Sequence, residues 1–102
     1  MSVYVDALRP TVPNRNWKFL EGCHMFADTP EELHEFALQI GMKRCWAQGG
    51  RGKLVHYDLT KAKREKAIMH GALFADRRLT GEYIRKARES YNANSGSGSP
   101  VR

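Results

Sequence analysis

The sequence lacks any apolar run close to the roughly 20 residues that a membrane-spanning helix requires. Asp6 stands where a secretory signal peptide would need a hydrophobic stretch, so we expect neither a signal peptide nor a membrane partner. The two cysteines, Cys23 and Cys45, are too far apart for a C-x-x-C motif. This sparse use of cysteine predicts reduced, mostly buried thiols in a cytoplasmic protein.

Signatures of several enzyme classes are missing as well. The chain contains no H-E-x-x-H, no cysteine and histidine spacing of a zinc site and no G-x-S-x-G. The glycine-rich segment 48–52 lacks the Gly-Lys-Ser/Thr ending of a phosphate-binding P-loop. Any chemistry must therefore be inferred from the positions of individual polar residues.

Acidic residues are in the minority, and the excess positive charge is unevenly distributed. The net charge is +6, and residues 61–90 hold nine Lys or Arg against four acids. This asymmetry favours a polyanionic partner or an acidic protein surface. A solvated helical face that merely keeps the protein soluble is the alternative.

Hydrophobic patterns and breaking residues predict one α/β domain over residues 1–91. We expect a small, mainly parallel sheet of about four strands with three helices, because strands and helices alternate along the chain. The predicted strands are residues 3–5, 23–27, 43–47 and 72–75, and the predicted helices are residues 30–40, 61–70 and 77–91. The Gly/Ser/Asn-rich residues 92–102 predict a flexible tail.

The loop over residues 7–22 carries three large apolar residues, Trp17, Phe19 and Leu20. Proline, asparagine and glycine make this segment irregular, so it is expected to fold back over the body of the protein, either as a lid or as a cap on its core.

Polar residues follow the predicted strands. Ligands of open parallel sheets lie beyond the carboxyl ends of the strands, which predicts a polar rim where Asp6, Asp28, Asp76 and the His56-Tyr57-Asp58 turn emerge. Asp28 and Asp76 also precede helices, where Asp is favoured without any ligand. His70 is explained as a cation near a helix C-terminus and is left out of the site, and His34 is interpreted as a packed histidine.

Two chemistries suit this rim. Asp6 and Asp58 could hold Mg²⁺ or Mn²⁺ for hydrolysis, with His56, Asp58 and His24 as catalytic residues. Alternatively, the N-terminus of the second helix could bind an anion. The expected ligand-binding residues of the two versions are Asp6, Asp28, Tyr57, Lys61, Lys63 and Arg64.

Strand alternation refines the prediction for the central segment. His56 and Asp58 should share one face, and Tyr57 should turn to the core or the Trp17 loop, because successive side chains point to opposite sides. The alternative is that the His–Asp pair only locks the turn before the second helix.

The chain resembles the small bacterial and phage family known as domain of unknown function 4031. The resemblance rests on Asp6, Trp17, Cys23-His24-Met-Phe-Ala-Asp28, Glu32-Leu-His34-Glu-Phe-Ala37, His56-Tyr57-Asp58 and Gly71-Ala72. Gly49-Gly50 and the basic segment 61–66 look closer to phage versions, which would place the protein in a host cytoplasm. Many relatives carry Ser where this chain has Cys23, which counts against a nucleophilic cysteine. The resemblance implies that the Asp and His positions matter, without implying an activity.

Two hypotheses of function follow from the sequence. In the first, the His/Asp rim binds a phosphate-bearing ligand, a nucleotide or a nucleic-acid backbone, with metal-dependent hydrolysis as an option. In the second, the protein is not an enzyme and binds nucleic acid or an acidic host protein through basic residues of the last two helices. Those residues are Lys61, Lys63, Arg64, Lys66, Arg77, Arg78, Arg85, Lys86 and Arg88.

Overall fold

The computed structural model describes residues 2–97, which form an α/β fold with six strands and three helices. The elements are β1 (Val3–Val5), β2 (Arg9–Pro10), β3 (Glu21–Ala27), α1 (Pro30–Gln39), β4 (Gln48–Gly50), β5 (Lys53–Leu59), α2 (Lys61–Met69), β6 (Leu73–Phe74) and α3 (Arg77–Ser97). Thr29 and Thr60 cap α1 and α2 as the sequence predicts, because their hydroxyls accept the backbone N–H groups of Glu32 and Lys63. Helix α3 runs into the segment predicted as a tail, and residues 98–102 of that tail lie outside the described part.

The sheet is mostly antiparallel, so the prediction of a mainly parallel sheet is wrong. Its strands follow the order β4-β5-β3-β1-β6, with β2 paired to β3, and within the described residues β1 and β6 form the one parallel pair. A parallel pair needs a crossover of a dozen or more residues, usually a helix. The segment between β1 and β3 contains only β2 and irregular chain, so β3 returns antiparallel to β1.

The prediction of a third strand over residues 43–47 is also wrong. Residues Arg44–Trp46 form a short 3-10 turn, and β4 and β5 make a hairpin further along. Positive φ angles at Gly49, Gly50, Arg51 and Gly52 reverse the chain there. The His56-Tyr57-Asp58 segment consequently lies inside β5 and not in a turn before α2.

The two faces of the sheet are covered differently. One face packs on α1 and α2 in a core that includes Val5, Met25 and Leu59. The other face carries Tyr4 and Phe26, and the ring of Tyr83 from α3 lies 5.3 and 5.2 Å from their centroids. Tyr4, Phe26 and Tyr83 thus fix α3 over part of the second face.

The loop between β2 and β3 does not cover the core as predicted. Leu20 is 74% exposed and Phe19 is 41% exposed. Trp17 instead packs over Gly22 of β3, where an added Cβ would lie 2.8 Å from the indole. The loop therefore lies against the second face of the sheet.

Of the predictions for the two cysteines, one is confirmed and one is wrong. Cys23 is buried as predicted, but Cys45 is exposed because its segment forms the 3-10 turn and not a strand. Among residues 2–97, no helix combines the length and the apolar composition that crossing a membrane requires.

Candidate functional site

Four polar side chains meet on the second face of the sheet, and we call them the His/Asp cluster: Asp6, His24, His56 and Asp58. His24 Nδ1 lies 2.9 Å from Asp6 Oδ2, and His24 Nε2 lies 3.8 Å from Asp58 Oδ1. His56 Nε2 lies 3.6 Å from the same Asp58 oxygen. The imidazole rings are edge to face, with their centroids 5.1 Å apart.

Strand register brings the cluster together. His24 of β3 is the direct cross-strand partner of Asp58 of β5, and the Asp6 N–H donates to the His24 carbonyl at 3.1 Å. Two residues apart on β5, His56 and Asp58 share one face, and Tyr57 points to the core, as alternation predicts. The pair lies within β5 and not in the turn before α2 that the alternative assumed.

The rim predicted at the carboxyl ends of the strands does not exist. Because β1 and β3 are antiparallel, Asp6 and Asp28, which follow the C-terminal ends of these strands, lie at opposite ends of the strand pair. Asp28 accepts hydrogen bonds from the Ser2 N–H and the Tyr83 hydroxyl. Asp76 accepts the Leu79 N–H and caps α3, which is the structural role weighed for it.

Asp6 is the buried anchor of the cluster, with only 2% of its surface exposed. Its Oδ1 accepts the His24 N–H at 2.6 Å, and its Oδ2 accepts from His24 Nδ1 and from Arg9. Burial would raise the pKa of Asp6, but the hydrogen bonds from His24 outweigh burial and lower it. Both carboxylate oxygens are thus engaged inside the protein, which disfavours Asp6 as a metal ligand.

The same contacts fix the tautomers of both histidines. His24 Nδ1 faces a carboxylate, and His56 Nδ1 lies 2.9 Å from the Leu54 carbonyl oxygen. Because these partners only accept, both Nδ1 atoms must carry hydrogen, which leaves the Nε2 atoms with free lone pairs that face Asp58. The hydrogen bond to Asp6 is also the main cause that raises the pKa of His24.

Asp58 is oriented in the same way. Its Oδ2 accepts the Gln48 side-chain N–H at 2.6 Å, while Oδ1 faces both imidazoles. Gln48 pairs with His56 across β4 and β5, so the hairpin itself positions this amide.

His24, His56 and Asp58 have the composition and spacing of a metal site. One ligand atom from each lies within 4.8 Å of the others. Atoms that share one Zn²⁺ at about 2.1 Å are roughly 3.4 Å apart in a tetrahedron. The imidazole nitrogens, at 3.8 and 3.6 Å from Asp58 Oδ1, therefore need to approach that oxygen by a few tenths of an ångström. Asp58 thus stays a candidate ligand, and the two histidines replace Asp6 beside it.

Two grooves adjoin the cluster, and His24 lines both. The α3 groove, of about 400 Å³, is lined by His24, Phe26, Gly52, Lys53, Leu54, His56, Thr80, Ile84 and Arg88. The loop groove, also about 400 Å³, is lined by Arg9, Pro10, Thr11, Val12, Asn14, Trp17, Gly22, Cys23, His24 and Asp58. Each groove therefore combines part of the cluster with at least one cation.

Several predicted site residues have other roles. The Tyr57 hydroxyl pairs with His34 Nδ1 at 2.8 Å, and Lys63 Nζ donates to the Ile40 carbonyl oxygen at 2.7 Å. Arg64 Nε donates to the Asp6 carbonyl oxygen at 3.0 Å and so supports the cluster from behind, whereas Lys61 lines neither groove. Burial raises the pKa of the Cys23 thiol to about 12, which agrees with its expected inertness as a nucleophile.

Four neighbours of the cluster were not predicted from the sequence: Arg9, Gln48, Lys53 and Arg88. No local motif marks them, because they reach the cluster through the β2–β3 and β4–β5 pairings and the placement of α3.

Comparison with known proteins identifies a family. A family model described as "Protein of unknown function (DUF4031)" matches residues 3–87, which include every member of the His/Asp cluster. No curated protein and no solved structure matches the chain.

Proposed function

The chain belongs to the DUF4031 family, and we propose that it is a metal-dependent hydrolase that acts on a phosphate-bearing substrate at the His/Asp cluster. The observation that carries the proposal is the convergence of His24 Nε2 and His56 Nε2 on Asp58 Oδ1. The other polar atom of each of these three side chains makes a hydrogen bond within the protein, and these hydrogen bonds favour this orientation. Metal-binding histidines usually donate their second ring N–H to such acceptors.

Three protein ligands with open positions are typical of catalytic metal sites, whereas structural sites are closed by four. A bound divalent ion supplies Lewis acidity and lowers the pKa of a water molecule towards neutrality. The chain's own contribution is to hold the ligands through Asp6 and Gln48 and to attract an anion through Arg9, Lys53 and Arg88. In this proposal His24 and His56 are ligands and not proton-transferring groups.

The donor set also favours certain ions. Imidazole suits zinc, iron, nickel and copper, whereas Mg²⁺ prefers oxygen ligands and keeps several waters. Two imidazoles and one carboxylate therefore support Mn²⁺ or a later transition metal over the Mg²⁺ considered from the sequence.

The proposal is tested by calorimetry on protein stripped of metal by a chelator. Wild-type protein should bind Mn²⁺ or Zn²⁺ more tightly than Mg²⁺ and should hydrolyse bis(p-nitrophenyl) phosphate when loaded. His56→Gln should weaken binding by at least about 100-fold, beyond the 10–100-fold typical of losing a supporting group. His70→Gln is the matched control, because His70 lies away from the cluster and pairs with the Lys66 carbonyl oxygen. Absence of metal binding, or equal effects of the two substitutions, would refute the proposal.

The non-enzymatic alternative remains a second proposal, favoured by the exposed basic side chains of α3. Arg78 and Arg85 are 89% and 60% exposed, but each stands beside a glutamate one turn later, at 4.0 and 3.7 Å. Such pairing partly offsets the charge offered to a polyanion. Binding through this face should weaken steeply with salt and should persist in His56→Gln, whereas the hydrolase proposal expects activity to be lost in that variant.

A further inference from the structure

We infer that the substrate of this site is a single-stranded nucleic acid that crosses the His/Asp cluster and occupies both grooves; this inference rests on the proposed function. The position of the cluster is the first argument. His24 lines both grooves, while His56 lines the α3 groove and Asp58 lines the loop groove. A phosphate held at the cluster therefore has room on both sides for the nucleotides attached to it. A mononucleotide would fill only one of the two grooves.

The cations are the second argument. Arg9 lies on the loop side of the cluster, and Lys53 and Arg88 lie on the α3 side. The Arg9 guanidinium is held by the Asp6 carboxylate at 3.1 Å, which offsets part of its charge but ties its position to the same anchor as His24. Positive charge on both sides of a reaction centre suits a polyanion that passes through it.

The aromatic residues of the loop are the third argument. Trp17 lines the loop groove, lies over Gly22 and donates its indole N–H to the Thr11 hydroxyl at 3.2 Å. Phe19 contacts it edge to face at 5.1 Å. Trp17 is only half-buried, so a ring fixed by these three contacts keeps accessible surface on which an unpaired base can stack.

These features favour single strands over duplexes. Stacking on Trp17 requires a free base face, and the bases of a duplex are already stacked on one another. Each groove, at about 400 Å³, has the volume of a small-ligand pocket and fits on the order of one nucleotide, so the two grooves suit a short unpaired stretch on either side of the cluster.

Fluorescence anisotropy on the metal-loaded protein, with a labelled phosphorothioate strand of about 12 nucleotides that resists cleavage, tests the inference. The single strand should bind at least about tenfold more tightly than the same sequence as a duplex or than a mononucleotide. Arg9→Gln and Arg88→Gln should each weaken binding about fivefold or more. Arg85→Gln is the matched control, because Arg85 lies on the same helix as Arg88 but lines neither groove, and it should change binding by less than about twofold.

Tryptophan fluorescence gives a readout that does not depend on altering the loop. The chain contains two tryptophans, so Trp46→Phe leaves Trp17 as the reporter. Trp46 lines neither groove. In this background the single strand should quench the emission, because a stacked base contacts the indole directly.

The outcomes separate the inference from the proposed function. If metal binds and model diesters are hydrolysed, but a mononucleotide binds as well as the strand or Trp17 emission does not change, the inference is wrong and the proposed function stands. If Arg85→Gln and Arg88→Gln weaken binding equally, the strand lies on the outer face of α3 and the inference is also wrong. If no metal binds, both fail.

Discussion

Replacing Asp6 by Asn tests how the cluster holds its ligands. The Asp6 carboxylate accepts the His24 N–H on Oδ1 and the His24 Nδ1–H on Oδ2, at 2.6 and 2.9 Å. An asparagine of the same shape keeps one acceptor but places an NH₂ donor at the other position. If the amide oxygen stays on the backbone N–H, the NH₂ group faces His24 Nδ1. The imidazole should then shift its hydrogen from Nδ1 to Nε2, the atom that faces the metal position.

The size of the effect can be estimated from these contacts. Loss of the supporting acceptor should weaken metal binding by about 10–100-fold, or roughly 1.4–2.7 kcal/mol. Hydrogen bonds to charged groups contribute about 1.5–3 kcal/mol and neutral ones about 0.5–1.5 kcal/mol, so the free energy of unfolding should fall by about 1–3 kcal/mol. The burial of Asp6, at 2% exposure, keeps water from replacing the lost partner.

The assay pairs metal calorimetry with urea unfolding of the metal-free protein. Asp76→Asn is the control, because Asp76 Oδ1 caps α3 at 2.8 Å and Asn is an equally good cap. That control should leave metal affinity unchanged and stability within about 0.5 kcal/mol. A destabilised Asp6→Asn that binds metal as tightly as the wild type would show that Asp6 has only a structural role.

Two further predictions concern residues outside the cluster. Tyr57→Phe removes the hydroxyl that pairs with His34 and should lower the free energy of unfolding by about 1 kcal/mol. Tyr57→Ala should lower it by about 3–5 kcal/mol, because the ring is fully buried, and equal losses in urea unfolding would contradict this. The Tyr83 hydrogen bond lowers the pKa of Asp28 below its usual 3.8, so Asp28 contributes stability above about pH 4 that is lost as pH falls through its folded pKa. Tyr83→Phe should therefore lose less stability than the wild type between about pH 5 and pH 2, and an unchanged acid limb in thermal melts would refute this role.

Local patterns were sufficient for the starts of the helices and for the facing of individual side chains. Thr29 and Thr60 cap their helices through hydrogen bonds to residues three positions away, so neighbouring sequence alone decides them. The separation of His56 and Asp58 from Tyr57 follows from the period of two in any strand. Neither inference depends on which strands are neighbours.

Pairing of strands, in contrast, was decided by the tertiary structure. The composition of the segment between β1 and β3 predicts no helix, but it does not predict that β3 pairs antiparallel to β1. The antiparallel pairing places Asp28 far from Asp6 and brings Asp6 into hydrogen-bond contact with His24. The cluster was therefore predicted with nearly the right members for the wrong geometric reason.

The sequence by itself thus determined which polar side chains are available to the cluster, how the helices begin and which strand residues share a face. The tertiary structure alone decided that Asp6 supports a histidine, that Arg9 and Arg88 flank the cluster and that Trp17 lines a groove. The physical reason is the separation along the chain of the residues that interact. Caps and alternation are set within a few residues, whereas His24 meets Asp58 through hydrogen bonds between strands far apart in the chain, whose register no local propensity specifies.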